Sequence, residues 1–180
     1  MTIQEVTLIA ALIAAAVSIL SLMTNVLSQH SAELRKAHRE TLEHYIHDLG
    51  DSLHSTIATS NILLKAQTDP AIQNWRAKAE TAKTKLKELR TKLRYPLWGL
   101  DKGLKTISRL PDWVEHARSA PEHAQTILKA GESLGHSLDS TIRKCYMLGR
   151  PPRMDERIVI NYKRSQLEKA YLAFQSRERS

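Results

Sequence analysis

Between Glu5 and Glu33 the chain carries no formally charged side chain, and Val6–Leu27 is almost wholly apolar or small. That run exceeds the roughly 20 residues a helix needs to cross a hydrocarbon core about 30 Å thick. A cleavable signal peptide has a basic leading region and a shorter apolar stretch. Here the charge before the run is Glu5 alone, and the run is long. The segment is therefore read as an uncleaved transmembrane helix over residues 1–30. Thr2 and Glu5 stand at capping-box spacing, which starts the helix at the N-terminus.

The flanks set the orientation. Arg35, Lys36 and Arg39 follow the run, and every Lys and Arg of the chain lies at or beyond Arg35. Positive residues stay on the cytoplasmic side, so the N-terminus is expected outside and residues 31–180 in the cytoplasm, at the inner membrane if the source is bacterial. A single cysteine, Cys145, excludes a disulfide framework within the chain and agrees with a reducing compartment. The part after the run carries all 27 basic groups against 18 of the 19 acidic ones, so the positive charge lies there. Membrane lipid is the first partner this implies.

Within the run, Thr7, Ala11, Ala14, Ser18, Ser21, Asn25 and Ser28 recur at alternating spacings of four and three. Small residues let membrane helices approach, and Ser, Thr and Asn hydrogen-bond between them. The stripe is read as the seam of a homo-oligomer, with a ring lining a water path as one form of it. The plainer alternative is an anchor that tolerates small residues, with Asn25 at headgroup depth. Arg35 and Arg39 continue the line and would stand at the cytoplasmic mouth of a parallel assembly, or meet lipid phosphates beside a bent helix.

The rest of the chain predicts an all-α, antiparallel helical bundle. Leu42, Ile46, Leu49, Leu53, Thr56, Ser60 and Leu63 form a heptad seam on a helix running to about Gln67. Unbroken from the membrane, that helix would have about 65 residues and a length of roughly 97 Å. Asp69 as cap and Pro70 in the first turn restart a helix whose seam is Ile72, Trp75, Ala79, Ala82, Leu86, Leu89 and Leu93. The two make a hairpin over residues 31–94. Further helices are expected over 97–110, ended by Pro111 and followed by a turn over residues 112–118; over 119–148, opened by a Ser119–Glu122 capping box; and over 155–177, carrying Ile158, Val159, Leu167, Tyr171 and Phe174 inward. Such helices can pack as one bundle.

The second helix is rich in Lys and Arg, including Lys83, Lys87, Arg90 and Arg94. Phosphates of nucleic acid or lipid fit such a surface. So do the acidic residues of helix one, Glu33, Glu40, Glu43, Asp48 and Asp51, and ordinary ion pairing is the plainer account. Trp98 with Lys102, Lys105 and Arg109 makes 97–110 amphipathic, fit for a membrane surface or for packing into the bundle. Glu40, His44, His47, Asp51 and His54 form a polar stripe, but no opposing Glu-x-x-His pair accompanies it, so neither metal nor cofactor is expected. No Walker loop, nucleophile elbow or dinucleotide fingerprint occurs, and no small-molecule substrate is evident.

One catalytic spacing does occur: Arg, four residues, His, at Arg118–His123 and again at Arg39–His44. It resembles the motif of HEPN-type ribonuclease domains, which are helical bundles. With one N-terminal span and a basic helical domain, the whole resembles the membrane-anchored HEPN-like accessory proteins of type VI CRISPR systems. The resemblance implies oligomers that act on the cell membrane in antiphage defence, with RNA or a CRISPR effector complex as partner, and makes Arg118 and His123 the site pair. In the family the His does acid/base work on RNA. Pro121 inside the motif departs from the pattern.

The expectation is a homo-oligomeric single-pass protein, a pore-like or permeabilising effector rather than an enzyme. The alternatives are a ribonuclease using Arg118 and His123, and a passive anchor that recruits a partner or nucleic acid through its basic helix.

Overall fold

The computed structural model describes residues 3–66 and 68–178, with side chains from Ile13 onward. Among the described residues the chain is helical and has no strand. The helices are α1 (Ile3–Lys65), α2 (Asp69–Lys92), α3 (Asp101–Ile107), α4 (Leu110–His116), α5 (Pro121–Leu148) and α6 (Met154–Glu178), with a 3-10 turn at Ala117–Ser119. The chain divides into two compact units, Met1–Ala37 and His38–Ser180, and α1 contributes to both.

In the first unit every described residue from Ile13 to His30 is exposed, including Ile13, Val17, Leu20, Leu22 and Leu27. The N-terminal end of α1 has the length and composition of a membrane span. It continues helically through Ser28–Ser31, where the Ser31 hydroxyl donates to the Ser28 carbonyl. Thr2 and Gln67 lie outside the described residues.

The second unit has one apolar core to which α1 to α6 all contribute. The α1 seam is buried at Leu42, Leu49, Leu53 and Leu63, and the polar members Thr56 and Ser60 are buried with it. Those hydroxyls are satisfied inside the helix, Thr56 donating to the Ser52 carbonyl and Ser60 to that of Thr56. Such i−4 back-bonding is what makes a buried Ser or Thr on a helix tolerable. Ala79, Ala82, Leu86 and Leu89 bury the matching face of α2. Tyr45 faces Lys92 and Asp48 faces Lys85, so contacts advance along α1 as they retreat along α2. In α5 the buried positions Ala124, Ile127, Leu128, Gly131, Leu134, Gly135, Leu138, Thr141, Ile142 and Cys145 trace the three-four stripe of a core-facing helix. It ends at Gly149, whose φ of 59° and ψ of 42° let the Arg150 N–H reach back to the Cys145 carbonyl in a Schellman closure.

Four local expectations are corrected. Pro111 starts a helix instead of ending one: it sits in the first turn of α4, where its missing N–H is no loss. The segment 97–110 is not one helix. Turns occupy residues 93–99, and Gly99 takes a positive φ of 91°, so α3 starts only at Asp101. The caps shift by one residue, to Thr68 before α2 and Ala120 before α5, and neither makes a side-chain cap bond. In α6 the buried residues are Ile160, Leu167 and Phe174, spaced seven apart, which leaves Ile158 and Val159 exposed.

Candidate functional site

The small-residue stripe of α1 is exposed from Ala14 to Ser28, while the side chains of Thr7 and Ala11 lie outside the described residues. Its polar members differ in how far they are satisfied. Ser18 donates to the Ala14 carbonyl at 2.8 Å, and the neighbouring Thr24 to Leu20 and Ser21 at 2.9 Å. These hydroxyls could enter lipid at little cost, because lipid supplies no partners and the helix does. Ser21, Asn25 and Ser28 donate no side-chain bond among the described residues. Asn25 matters most, since an amide carries two donors and an acceptor. Arg35 and Arg39 are both exposed; Arg35 belongs to the first unit and Arg39 to the second.

The basic residues of α2 separate into two sets. Lys83 donates to Asp112 at 2.8 Å and Glu80 at 3.0 Å, Arg90 lies 3.3 Å from Asp101, Arg76 pairs with Glu115, and Lys85 donates to Asp48 at 2.8 Å. Asp112 and then Glu80 raise the Lys83 pKa, and the Lys85 hydrogen bond lowers that of Asp48. The expected pairing with helix one therefore holds for Asp48, while the other inter-helix partners of α2 come from α3 and α4. Lys87, and Arg94 in the turn just beyond α2, are exposed and have no acidic partner among the described residues. Lys78 lies 4.0 Å over the Trp75 ring.

Arg118 and His123 hold different partners. Arg118 lies in the 3-10 turn, and its guanidinium donates to the Ala66 carbonyl just beyond α1. His123, in the first turn of α5, packs against Phe174 with ring centroids 6.1 Å apart. Arg118 thus supplies a donor to a carbonyl that the end of a helix leaves unpaired. The second copy of the spacing, Arg39 and His44, is exposed on α1.

His47, Asp51 and His54 share a cleft of about 500 Å³ with Arg143 of α5, and Arg143 is itself held by Asp139 at 2.8 Å. Among the described residues no cluster of three or more His, Cys, Asp and Glu is placed to hold a metal.

Two further clusters lie at the two ends of α6. At the corner between α5 and α6, Arg150 donates to both oxygens of Glu156 at 2.8 and 2.9 Å, and Glu156 also accepts the Arg153 backbone N–H at 2.8 Å. The Arg150 bond, helped by that N–H, holds the Glu156 carboxyl down at about 2. Burial, with Glu156 nearby, pushes the Cys145 thiol up to about 11. Burial also lowers the pKa of His38. At the other end of α6, Trp113 stacks on Tyr171 at 4.6 Å, and His116 meets the Tyr171 hydroxyl at 2.9 Å. Glu156 at the third position of a helix is a capping signal that a closer sequence reading could find. Trp113 and Tyr171 are brought together only by the tertiary fold.

No protein-family model matches this chain, and no curated protein or solved structure matches it either.

Proposed function

We propose that this chain is a single-pass membrane protein, its N-terminus outside and an antiparallel helical bundle in the cytoplasm. It homo-oligomerises through Ala14, Ser18, Ser21, Asn25 and Ser28 and acts at the membrane as a permeabilising, pore-like effector. One observation carries the reading: from Ile13 to His30 α1 is exposed all round, yet it carries Asn25, Ser21 and Ser28 with no side-chain donation of their own among the described residues. The apolar residues call for lipid, and the amide calls for a neighbouring helix or water. A ring of copies with the stripe inward meets both demands. The retreating contacts of α2 along α1 support the antiparallel arrangement. On the resemblance to HEPN-like accessory proteins, the setting we propose is antiphage defence, with a CRISPR effector complex or RNA as partner.

The test is dye release from liposomes by the full chain, with its mass in mild detergent measured alongside. Wild type is expected to form a closed oligomer and release dye. Ser18→Leu/Ser21→Leu/Asn25→Leu is expected to insert and release none. A monomer that inserts without release overturns the reading and leaves a recruiting anchor, which the unpaired Lys87 and Arg94 favour as second choice. The Arg118 contact with Ala66 weighs against a ribonuclease.

A further inference from the structure

A second surface brings together residues from the turn after α2, from α3 and from α6. Tyr95 is 88% exposed, Trp98 63%, Met154 66% and Ile158 61%. Trp98, Met154 and Ile158 line one trough of about 380 Å³ with Arg94, Lys102 and Arg157. Its acidic member is Asp101, already paired with Arg90 at 3.3 Å. The three trough cations have no acidic partner among the described residues, and Asp155 and Glu156 border a different trough of α6.

Arg157 shows that the surface is built. Its guanidinium lies 4.5 Å over the Trp98 ring and touches the Met154 sulfur at 3.2 Å, and its Nε is buried with no partner. Gly99 makes room for it, because a Cβ there would come within 2.2 Å of the Arg157 Cδ. An arginine with five donors and no oxygen to meet is matched by a phosphate. Trp and Tyr settle at headgroup depth, and exposed Met and Ile can enter the acyl boundary.

We propose that this trough docks the helical unit onto the anionic lipid surface of the bilayer that α1 spans, with Arg94, Lys102 and Arg157 on lipid phosphates and Trp98, Met154 and Ile158 at the interface. The inference rests on the membrane reading of α1 for its tether: a unit joined to the span directly meets the surface at high effective concentration. Charge favours lipid over an acidic protein, because a basic trough with three exposed apolar side chains in it and Tyr95 exposed in the same turn matches a phosphate layer over hydrocarbon.

The experiment places the full chain in nanodiscs containing brominated phospholipid. The quenching that separates wild type from Trp98→Phe reports Trp98 alone, and no tryptophan lies in the span. Quenching is expected in discs containing phosphatidylserine and to fall away in pure phosphatidylcholine, in high salt, and in Arg94→Gln/Lys102→Gln/Arg157→Gln. Each cation near an anionic surface contributes about fivefold (~1 kcal/mol), so the triple variant lowers the docked fraction ratio by roughly a hundredfold. Equal quenching in both lipids, none in either, or Trp98 shielded by RNA and not by lipid overturns the proposal. A chain that does not enter discs sinks the reading of α1 instead. Added phosphatidylserine vesicles then decide the trough separately: quenching lost in the triple variant supports it, and no quenching overturns it.

Discussion

Glu156 is held by more donors than any other carboxylate among the described residues: both arms of the Arg150 fork and the Arg153 N–H. With its carboxyl at about 2 in the fold against 4.5 as a reference, the folded state holds the proton less tightly than the unfolded chain does. The contribution of this pair is therefore complete above the reference value and is lost as pH falls through it towards 2. His38 acts in the same direction at higher pH. Burial lowers its pKa from 6.5, so stability it lends above that value declines as pH falls below it. Glu156→Gln is expected to destabilise the second unit by about 1.5–3 kcal/mol near neutrality, the range for hydrogen bonds to charged groups. It should also flatten the loss of stability between pH 4.5 and 2, the two values between which Glu156 titrates. Circular dichroism of denaturant unfolding across that range measures both. An unchanged acid limb would show that the Arg150 pair is not what holds this corner.

At the scale of elements, α5 carries its glycines on the buried face. Gly131 and Gly135 would each cost a helix about 1 kcal/mol relative to Ala, and close packing is the return. A Cβ at Gly135 would meet the Ile57 Cδ1 at 2.4 Å, and one at Gly131 would meet both Leu110 methyls at 2.5 Å. Gly135→Ala is expected to destabilise by about 1 kcal/mol net, because Ile57, half-buried against the core, must give up its packing there. In an Ile57→Val background, which removes the colliding methyl, the same change should stabilise. Denaturation midpoints of the four chains show whether the sign reverses. The seams of α1, α2 and α5 were legible in the sequence because an apolar stripe at helical period is a local property. The shorter helices were not. Pro111 follows Leu110 as readily in a stop as in a first turn, and only the burial of Leu110, Pro111 and Val114 against the core chooses the second. The two apolar neighbours in Ile158-Val159-Ile160 look alike by composition, and the packing of α6 selects Ile160. Arg118 shows the same limit at a site. Its spacing to His123 is visible in the chain, but its engagement by Ala66 depends on how α1 ends.

The whole molecule separates an exposed apolar segment from a packed remainder along the chain. No described side chain before Leu42 belongs to the apolar core, and those from Ile13 to His30 are all exposed. All Lys and Arg lie in the remainder, where much of the charge ties helices together, as Lys85 does to Asp48 and Lys83 to Asp112. Such surface pairs contribute little each, about 0–1 kcal/mol, so the core must hold the unit. Leu42, Leu49, Leu86, Leu134, Leu138, Ile142, Ile160 and Leu167 are all almost fully buried in one cluster. A chain lacking residues 1–30 keeps every one of them. It is expected to stay soluble without detergent, to retain helical dichroism and to unfold cooperatively, with Cys145 protected from alkylation until the transition. The thiol makes the readout specific, since burial in the folded unit is what raises its pKa to about 11 and keeps the reactive thiolate scarce. Loss of that protection at native helicity would mean that the core is loosely packed without residues 1–30, and that the exposed face from Ile13 to His30 supports the fold.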